Sequence, residues 1–361
     1  MPVLNRASLS VAAKSYLDLR FWNDRDYWYI SAKINLPLIV PIDVINKDIT
    51  IVVNVEFEAF EEIVGKIYSE LIIDYNIDPK KILVISENAD LESVIIAESK
   101  KWSKDLINYE WSLIFERSIK VQSKVVTSNP RPFINTSNKT FLNFNRRWRL
   151  HRTTLVALLY SIGILNKGHV SLSEVEGFNW HNQINGVIDV IKTDNELLTL
   201  IDTHKEEIIS LPNLYLDTKK LINRAFLRYK DIDPEATDNL YKDTYFSIVS
   251  ETYFFEEIGR FISEKTFKPI AYHHPFILVT SPKSLELLRD LGYRTFHPYI
   301  DESYDQEEDN VKRMKMILRE IERLSNMSTD EISIFLTNVE PITKHNFDTL
   351  INKSKFIFKK I

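Results

Sequence analysis

Two polar clusters in the second half of the chain carry residues suited to binding an anion. The segment NFNRRWRLHR, residues 143–152, places Arg147, His151 and Arg152 between a predicted strand and a predicted helix. Arginine offers forked donors that match phosphate oxygens, and the first turn of a helix adds free backbone N–H groups. The pattern favours a phosphate site. A solvated basic surface, or pairing of the arginines with the acidic run 301–309, is the alternative.

The second cluster is SETYFFEEIGRFISEKTFK, residues 250–268. Its polar residues of interest are Glu251, Thr252, Ser263, Glu264, Lys265 and Lys268. Ser263 is predicted to cap a helix, and a glutamate in the first turn suits the helix dipole, which is the ordinary explanation. A lysine in the first turn does not suit the dipole, and a phosphate partner would explain Lys265. The two glutamates, Glu251 and Glu264, could then accept hydrogen bonds from ribose or sugar hydroxyls.

The elements around these clusters alternate between strands and helices. Strand and helix patterns alternate over residues 34–121, and the alternation resumes over residues 141–293 after a proline-containing passage, 126–140, which we predict to be a linker. Such alternation is typical of α/β layers with a largely parallel sheet, which bind ligands at the carboxyl ends of their strands. The sequence therefore predicts two Rossmann-like domains in tandem.

Length and local patterns give the predicted boundaries. A chain of 361 residues exceeds what one core usually supports, so we expect domains over 1–135 and 136–325 and a helical segment, 326–361, that packs back on the first domain. Three local predictions are that 34–45 is a strand, that Ser281 caps a helix, and that Pro341 interrupts the last helix.

Composition excludes several classes of protein. The chain has no cysteine, so disulfides and thiolate metal sites are excluded, and no run approaches the length of a membrane span. The motifs of classical dehydrogenases, P-loop NTPases, zincins and α/β-hydrolases are absent, and the histidines form no metal-ligand pattern, so we expect no metal and no cofactor. The net charge of −5 gives no overall attraction to nucleic acid. We expect a cytoplasmic protein.

Together the two clusters resemble the donor-binding region of the α1,3-fucosyltransferase family. FSIVSET followed by FISEKTFKPIAYHHPFILV resembles that family's strand, Glu-Asn, loop and Thr/Ser-Glu-Lys helix, and FNRRWRLHRTTLVALLYSIGI resembles its strand end and helix-opening arginine. The resemblance covers residues 141–298. The same blocks, with LGYRTFHPYIDESYD, also look like glycosyltransferase-like proteins of tailed bacteriophages.

The resemblance implies a role for several residues. Arg152 is similar to the diphosphate-binding arginine, and Glu264 with Lys265 to the pair that contacts the nucleotide ribose and phosphates. Asn145 is similar to the strand-end asparagine. Glu251 matches the glutamate of the Glu-Asn pair, but Thr252 replaces the asparagine, which puts that contact in doubt.

The resemblance also implies a GT-B-like fold, in which two Rossmann-like domains face a central cleft. The first domain would bind the acceptor and the second a nucleoside-diphosphate sugar. The reaction would invert the anomeric centre without a metal, and a carboxylate of the first domain would deprotonate the acceptor hydroxyl. Glu87 is the first candidate for this base, ahead of Asp90, Glu56 and Glu58.

The acceptor stays open between a glycan and DNA. Some phage enzymes of this fold glycosylate hydroxymethylated bases, and basic residues 117–131 together with 146–152 could face DNA. A third alternative is a viral interaction protein that kept the fold without turnover. No membrane partner is expected.

Overall fold

The chain forms two α/β units in a computed structural model. The residues that the structure describes are 27–32, 37–46, 48–55, 60–86, 88–112, 116, 139–172, 178–212, 214, 216, 234–255, 259–353 and 357–359. The first unit comprises Met1–Ser118, Ile258–Ile262 and Lys353–Ile361, and the second comprises Ile119–Glu257 and Ser263–Asn352. Residues 326–352 thus belong to the second unit and residues 353–361 to the first, and the predicted domain boundaries stay predictions.

The first unit contains a mostly parallel sheet. Strands β1 (Tyr27–Ala32), β2 (Thr50–Val55), β3 (Ile82–Ser86) and β4 (Asn108–Ser112) lie side by side in that order, all parallel. A last strand, Ile357–Lys359, pairs antiparallel with β4. The central strands β2 and β3 are buried almost throughout, as expected for apolar, β-branched segments in a parallel sheet.

The α-helices in the described part of this unit are α1 (Ile42–Ile45), α2 (Phe60–Lys66) and α3 (Leu91–Trp102). The helix predicted over 60–77 is present, but beyond α2 it continues as a π-helix over Ile67–Asp74. Buried residues recur there in pairs every four positions, at 63–64, 67–68 and 71–72. This repeat exceeds the 3.6 residues of an α-helical turn, so a wider helix keeps the pairs on one face.

The strand predicted over 34–45 is wrong where the structure describes it. Residues 37–40 have no regular structure, and α1 follows with Pro41 as its N-cap. Pro37 and Pro41 lack the N–H that a sheet ladder requires, which explains the difference. The strand at this end of the sheet is β1 instead, an aromatic and β-branched segment that we did not predict.

The second unit is built on a four-stranded parallel sheet. Its strands are β5 (Phe141–Asn143), β6 (Gly168–Val170), β7 (Phe246–Ser250) and β8 (Phe276–Val279), and their order is β6-β5-β7-β8. From β5 the chain moves to β6 on one side, and later returns to β7 on the other. The order therefore reverses between β5 and β7, which is the position where open α/β sheets bind their ligands.

Nine α-helices are described in this unit. They are α4 (Leu150–Ser161), α5 (Trp180–Ile191), α6 (Asn195–Thr203), α7 (Lys205–Ile209), α8 (Pro234–Lys242), α9 (Glu264–Ala271), α10 (Ser284–Asp290), α11 (Asn310–Ser325) and α12 (Thr329–Asn352). Helix α4 follows β5 and is buried along nearly its whole length, and α9 follows β7. The predicted α/β architecture with two largely parallel sheets is confirmed.

Two local predictions about helices are wrong, one about the cap of α10 and one about Pro341 in α12. Helix α10 begins at Ser284, three residues after the predicted cap Ser281, and the carboxylate of Asp305 accepts from the Leu285 and Glu286 N–H groups at 2.9 and 3.2 Å. A distant aspartate therefore satisfies the first turn. Helix α12 continues through Pro341 without interruption. Within the described residues no helix is long and apolar enough to cross a membrane.

The continuity of α12 gives a test of the fold. Pro341 is exposed and lies inside the helix, where proline removes one hydrogen bond and crowds the preceding turn. We expect Pro341→Ala to raise the free energy of unfolding by about 1–3 kcal/mol. Urea denaturation measures the change. The neighbouring exposed variant Glu340→Ala should stay within about 0.5 kcal/mol of the parent. A loss of stability in Pro341→Ala would mean that the helix breaks at this residue.

Candidate functional site

The candidate site lies at the carboxyl ends of β5 and β7. Asn143, the last residue of β5, donates from its side-chain amide to the Ile248 carbonyl at 2.7 Å and to Ser250 Oγ at 3.2 Å. The backbone N–H of Asn145 donates to Ser171 Oγ at 2.9 Å, and its amide donates to the Asn143 side chain. Both asparagines are fully buried. We predicted that Asn145 contacts the nucleotide-sugar donor. In this structure its hydrogen bonds join the ends of the strands.

Arg152 reaches from the first turn of α4 to the end of β7. Its guanidinium donates to the carbonyls of Arg147 at 2.9 Å, Ser250 at 3.1 Å and Glu251 at 2.8 Å. Only 3% of the residue is exposed. We predicted a diphosphate contact for this arginine, with the acidic run 301–309 as the alternative partner. In the structure these donors hold backbone carbonyls of the two converging segments.

His151 also contacts Glu251. Its Nε2 lies 3.0 Å from the Glu251 carbonyl, so Nε2–H donates to it, and its ring stacks on Phe254 with 5.8 Å between centroids. Burial penalises the charged imidazolium, and the neighbouring Arg152 repels it, so the pKa of His151 lies well below its ordinary value. The imidazole is therefore neutral at pH 7 and serves as a hydrogen-bond donor.

Glu251 itself is completely buried, and its carboxylate is turned into the start of α9. Oε1 accepts from the Ser263 N–H at 2.9 Å and from the Thr266 hydroxyl at 2.6 Å. Oε2 accepts from the Ser263 hydroxyl at 2.6 Å and from the Thr252 N–H at 3.2 Å. We expected this carboxylate to hold sugar hydroxyls. Instead the chain itself fills its acceptor positions, because an anion buried at a strand end requires donors.

Lys265 forms an ion pair with Glu251. Its ammonium lies 3.8 Å from the Glu251 carboxylate, 2.8 Å from Ser263 Oγ and 3.4 Å from Thr252 Oγ1. Ser263 is the N-cap, as predicted. We predicted that a phosphate partner would explain this first-turn lysine, and the buried carboxylate of Glu251 supplies a second explanation within the chain. The side chain of Lys265 remains 27% exposed.

Glu264 and Lys268 lie on the more accessible side of α9. Burial would raise the pKa of Glu264, but the cations of Lys265 and Lys268, together with hydrogen bonds to the carboxylate, outweigh it and hold this pKa below its ordinary value. The Glu264 carboxylate lies 3.3 Å from the Lys265 ammonium, and a third of its side chain is exposed. Of the predicted carboxylates in this cluster, Glu264 is the one that solvent reaches.

The loop before α4 presents cations and an aromatic ring to solvent. Arg147 is exposed, and Trp148 is 42% exposed. Arg149, the N-cap residue, is half-buried and lies over the Tyr253 ring at 5.8 Å, and its side chain makes no capping hydrogen bond to α4. The start of α4 thus differs from that of α9, where the N-cap Ser263 accepts from the Lys265 N–H through its hydroxyl.

The candidate bases belong to the first unit. Glu87, Glu56 and Glu58 lie outside the described residues, as do the basic residues 117–131. The Asp90 carboxylate accepts from the Arg260 N–H at 2.7 Å and from its guanidinium at 2.9 and 3.2 Å, so this aspartate is engaged. Among the described residues, no group of three His, Asp or Glu side chains could hold a metal ion.

Comparison with known proteins gives distant likenesses. No protein-family model and no curated protein matches the chain. One similar solved structure is the N-terminal domain of Candida albicans trehalose-6-phosphate phosphatase, with 11% identity over 92% of this chain and 70% of that chain and a TM-score of 0.43. Another, from E. coli, is described as trehalose-6-phosphate bound with UDP-2-fluoro glucose, with 11% identity over 92% of this chain and 73% of that chain and a TM-score of 0.44. Neither is a fucosyltransferase or bacteriophage protein by name, and those resemblances stay predictions.

The burial of Glu251 predicts a large effect on stability. Glu251→Ala leaves Lys265 without its buried partner and the donors of Ser263 and Thr266 without an acceptor, so we expect a loss of about 2–4 kcal/mol in the free energy of unfolding. Glu264→Ala, which removes a partly exposed carboxylate from the same turn, should cost less than about 1 kcal/mol. Equal losses in guanidinium denaturation would contradict this role of Glu251.

His151 predicts a pH dependence of stability. The unfolded chain binds a proton at His151 near pH 6.5, whereas the folded chain binds it only at lower pH, so the folded state loses stability as pH falls below about 6.5. The slope is about 1.4 kcal/mol per pH unit for one proton. His151→Gln, which keeps an N–H donor, should reduce this slope in denaturation curves recorded between pH 7.5 and 5. Identical slopes in parent and variant would exclude a neutral, buried His151.

Proposed function

We propose that the protein is a glycosyltransferase that moves a sugar from a nucleoside-diphosphate sugar to an acceptor hydroxyl. The observation that supports this proposal is the convergence of two cation-bearing segments at the switch point of the second sheet. His151 and Arg152 of α4 hold the carbonyl of Glu251, and Lys265 of α9 lies 3.8 Å from its carboxylate. Ligands of open α/β sheets bind at such a point.

The diphosphate is assigned to the N-terminus of α4. The N-cap residue of that helix, Arg149, makes no side-chain capping hydrogen bond, and backbone N–H groups at a helix start favour anions. Arg147 and Arg149 adjoin the helix start, and the partly exposed Lys265 and Lys268 add positive charge from α9. Arg152 supports this turn from behind through its three carbonyl contacts, so its role in our proposal is to shape the site.

The same cations account for the chemistry. Negative charge develops on the nucleoside diphosphate as its bond to the sugar breaks, and preorganised cations and N–H donors stabilise that charge. We propose an inverting reaction that needs no metal, in which a carboxylate takes the proton of the acceptor hydroxyl. Glu87 remains our first candidate for this base, with Glu56 and Glu58 as alternatives, whereas the carboxylate of Asp90 is engaged by Arg260.

Titration with nucleoside diphosphates tests the donor site. We expect GDP or UDP to bind, and Arg147→Gln and Lys268→Gln each to raise the Kd about tenfold, the loss of one charge-assisted contact. Lys192→Gln, which removes an exposed lysine paired with Asp189, is the matched control and should leave the Kd unchanged. Calorimetry at two salt concentrations measures these values, and higher salt should weaken binding.

The outcomes separate the alternatives. No binding of any nucleoside diphosphate, or equal weakening by Lys192→Gln, would remove the donor site. Binding without hydrolysis or transfer of any nucleotide sugar would favour a non-catalytic interaction protein. Transfer to hydroxymethylated DNA, with binding that weakens steeply with salt, would favour a DNA-modifying enzyme over one that acts on glycans. Turnover that stops in EDTA would contradict the metal-independent reaction.

A further inference from the structure

The turn that follows β7, residues 251–255, is held by the beginning of α11. Arg313 is 1% exposed, and its Nη2 donates to the Phe254 carbonyl at 2.8 Å. Asn310 lies one turn earlier and donates to the Phe255 carbonyl at 3.4 Å. Two successive carbonyls of an irregular turn thus receive donors from one helix, which fixes the path of the turn.

The other donors of Arg313 bind further elements to this turn. Its Nε donates to the Thr280 carbonyl just beyond β8 at 3.2 Å, and its Nη1 donates to the Glu307 carbonyl at 2.8 Å. A guanidinium has five N–H donors in a rigid plane, so it can hold several carbonyls at once, which an ammonium cannot do in the same geometry. Arg313 therefore sets the distance between the end of β8 and the turn after β7.

The aromatic ring of Phe254 connects Arg313 to the candidate site. The guanidinium carbon lies 4.4 Å from the ring centroid, and the imidazole of His151 stacks on the same ring at 5.8 Å. His151 in turn donates to the Glu251 carbonyl. The contacts therefore run without a gap from Arg313 through Phe254 and His151 to Glu251, which the converging segments share.

Burying the charge of an arginine costs desolvation free energy, so stability alone does not explain Arg313. Burial lowers the pKa of Arg313 to about 10, although the nearby Glu308 and Glu307 oppose the shift, so the side chain stays charged at pH 7. Apolar side chains of similar volume often replace a buried charge without loss of stability. What an apolar side chain cannot supply is directed hydrogen bonds to the carbonyls of Phe254 and Thr280.

We propose that Arg313 is a positioning residue for the candidate donor site. By fixing the Phe254 backbone and ring, it holds His151 against Glu251 and so aligns the first turn of α4 with β7. The expected effect of Arg313 on ligand binding rests on the proposed function. Its effect on His151 does not, because it can be measured in the protein without ligand.

The test compares Arg313→Lys with Arg319→Met, an exposed arginine of the same helix. In Arg313→Lys we expect the His151 ring resonances to shift in NMR spectra of the unliganded protein, and the pKa of His151 to rise toward its ordinary value. We also expect the Kd for GDP or UDP to rise about tenfold at a temperature where circular dichroism shows the variant folded. Arg319→Met should change none of these values.

A second variant covers the case in which Arg313→Lys does not fold. Phe254→Leu keeps the carbonyl that Arg313 holds and removes the ring between Arg313 and His151, and it should shift the His151 resonances in the same way. A folded Arg313→Lys or Phe254→Leu protein with parental His151 resonances would overturn the inference. If the parent binds no nucleoside diphosphate, the proposed function fails, whereas the His151 measurement still decides the role of Arg313.

Discussion

The buried carboxylate of Glu251 is the constraint on which the rest of the site depends. An anion without solvent must be met by donors, and the chain supplies them from the first turn of α9 and from Lys265. The carbonyl of the same residue receives His151 and Arg152 of α4. One residue at the end of β7 therefore fixes the starting points of two helices, and the sheet order brings their first turns together.

The two helix starts differ in the hydrogen bonds that their N-cap residues make. At the start of α9 the Ser263 hydroxyl accepts from the Lys265 N–H, and the Glu251 carboxylate accepts from the Ser263 N–H. At the start of α4 the N-cap residue Arg149 makes no side-chain capping hydrogen bond, and the exposed Arg147 lies nearby in the chain. Residues that a motif groups together can thus separate into those that build a site and those that face it. In this chain the most buried members, Glu251 and Arg152, build it.

Much of the fold follows from the sequence, because strand and helix patterns of β-branched and amphipathic segments need only local information. The N-cap Ser263 and the convergence of the two clusters were predictable for the same reason: one has a capping signature, and both follow strands of a parallel sheet. The direction of the Glu251 side chain was not predictable, since it depends on donors twelve to fifteen residues away. Arg313 was missed because many residues of this helix are charged, so its sequence does not mark one arginine as buried. Its signal is spacing, since it precedes the apolar Ile317 and Ile321 by four and eight positions.

The pairing of Ile357–Lys359 with β4 has a consequence for the order of synthesis. The first sheet gains its antiparallel strand only after the ribosome has delivered the whole of Ile119–Asn352, so the unit that begins first is completed last. Until then β4 lacks that neighbour at its outer edge. An unpaired strand edge exposes N–H and C=O groups that can pair with other chains. Because each unit is assembled from separate stretches of sequence, no single cut between residues 112 and 357 releases a complete first unit.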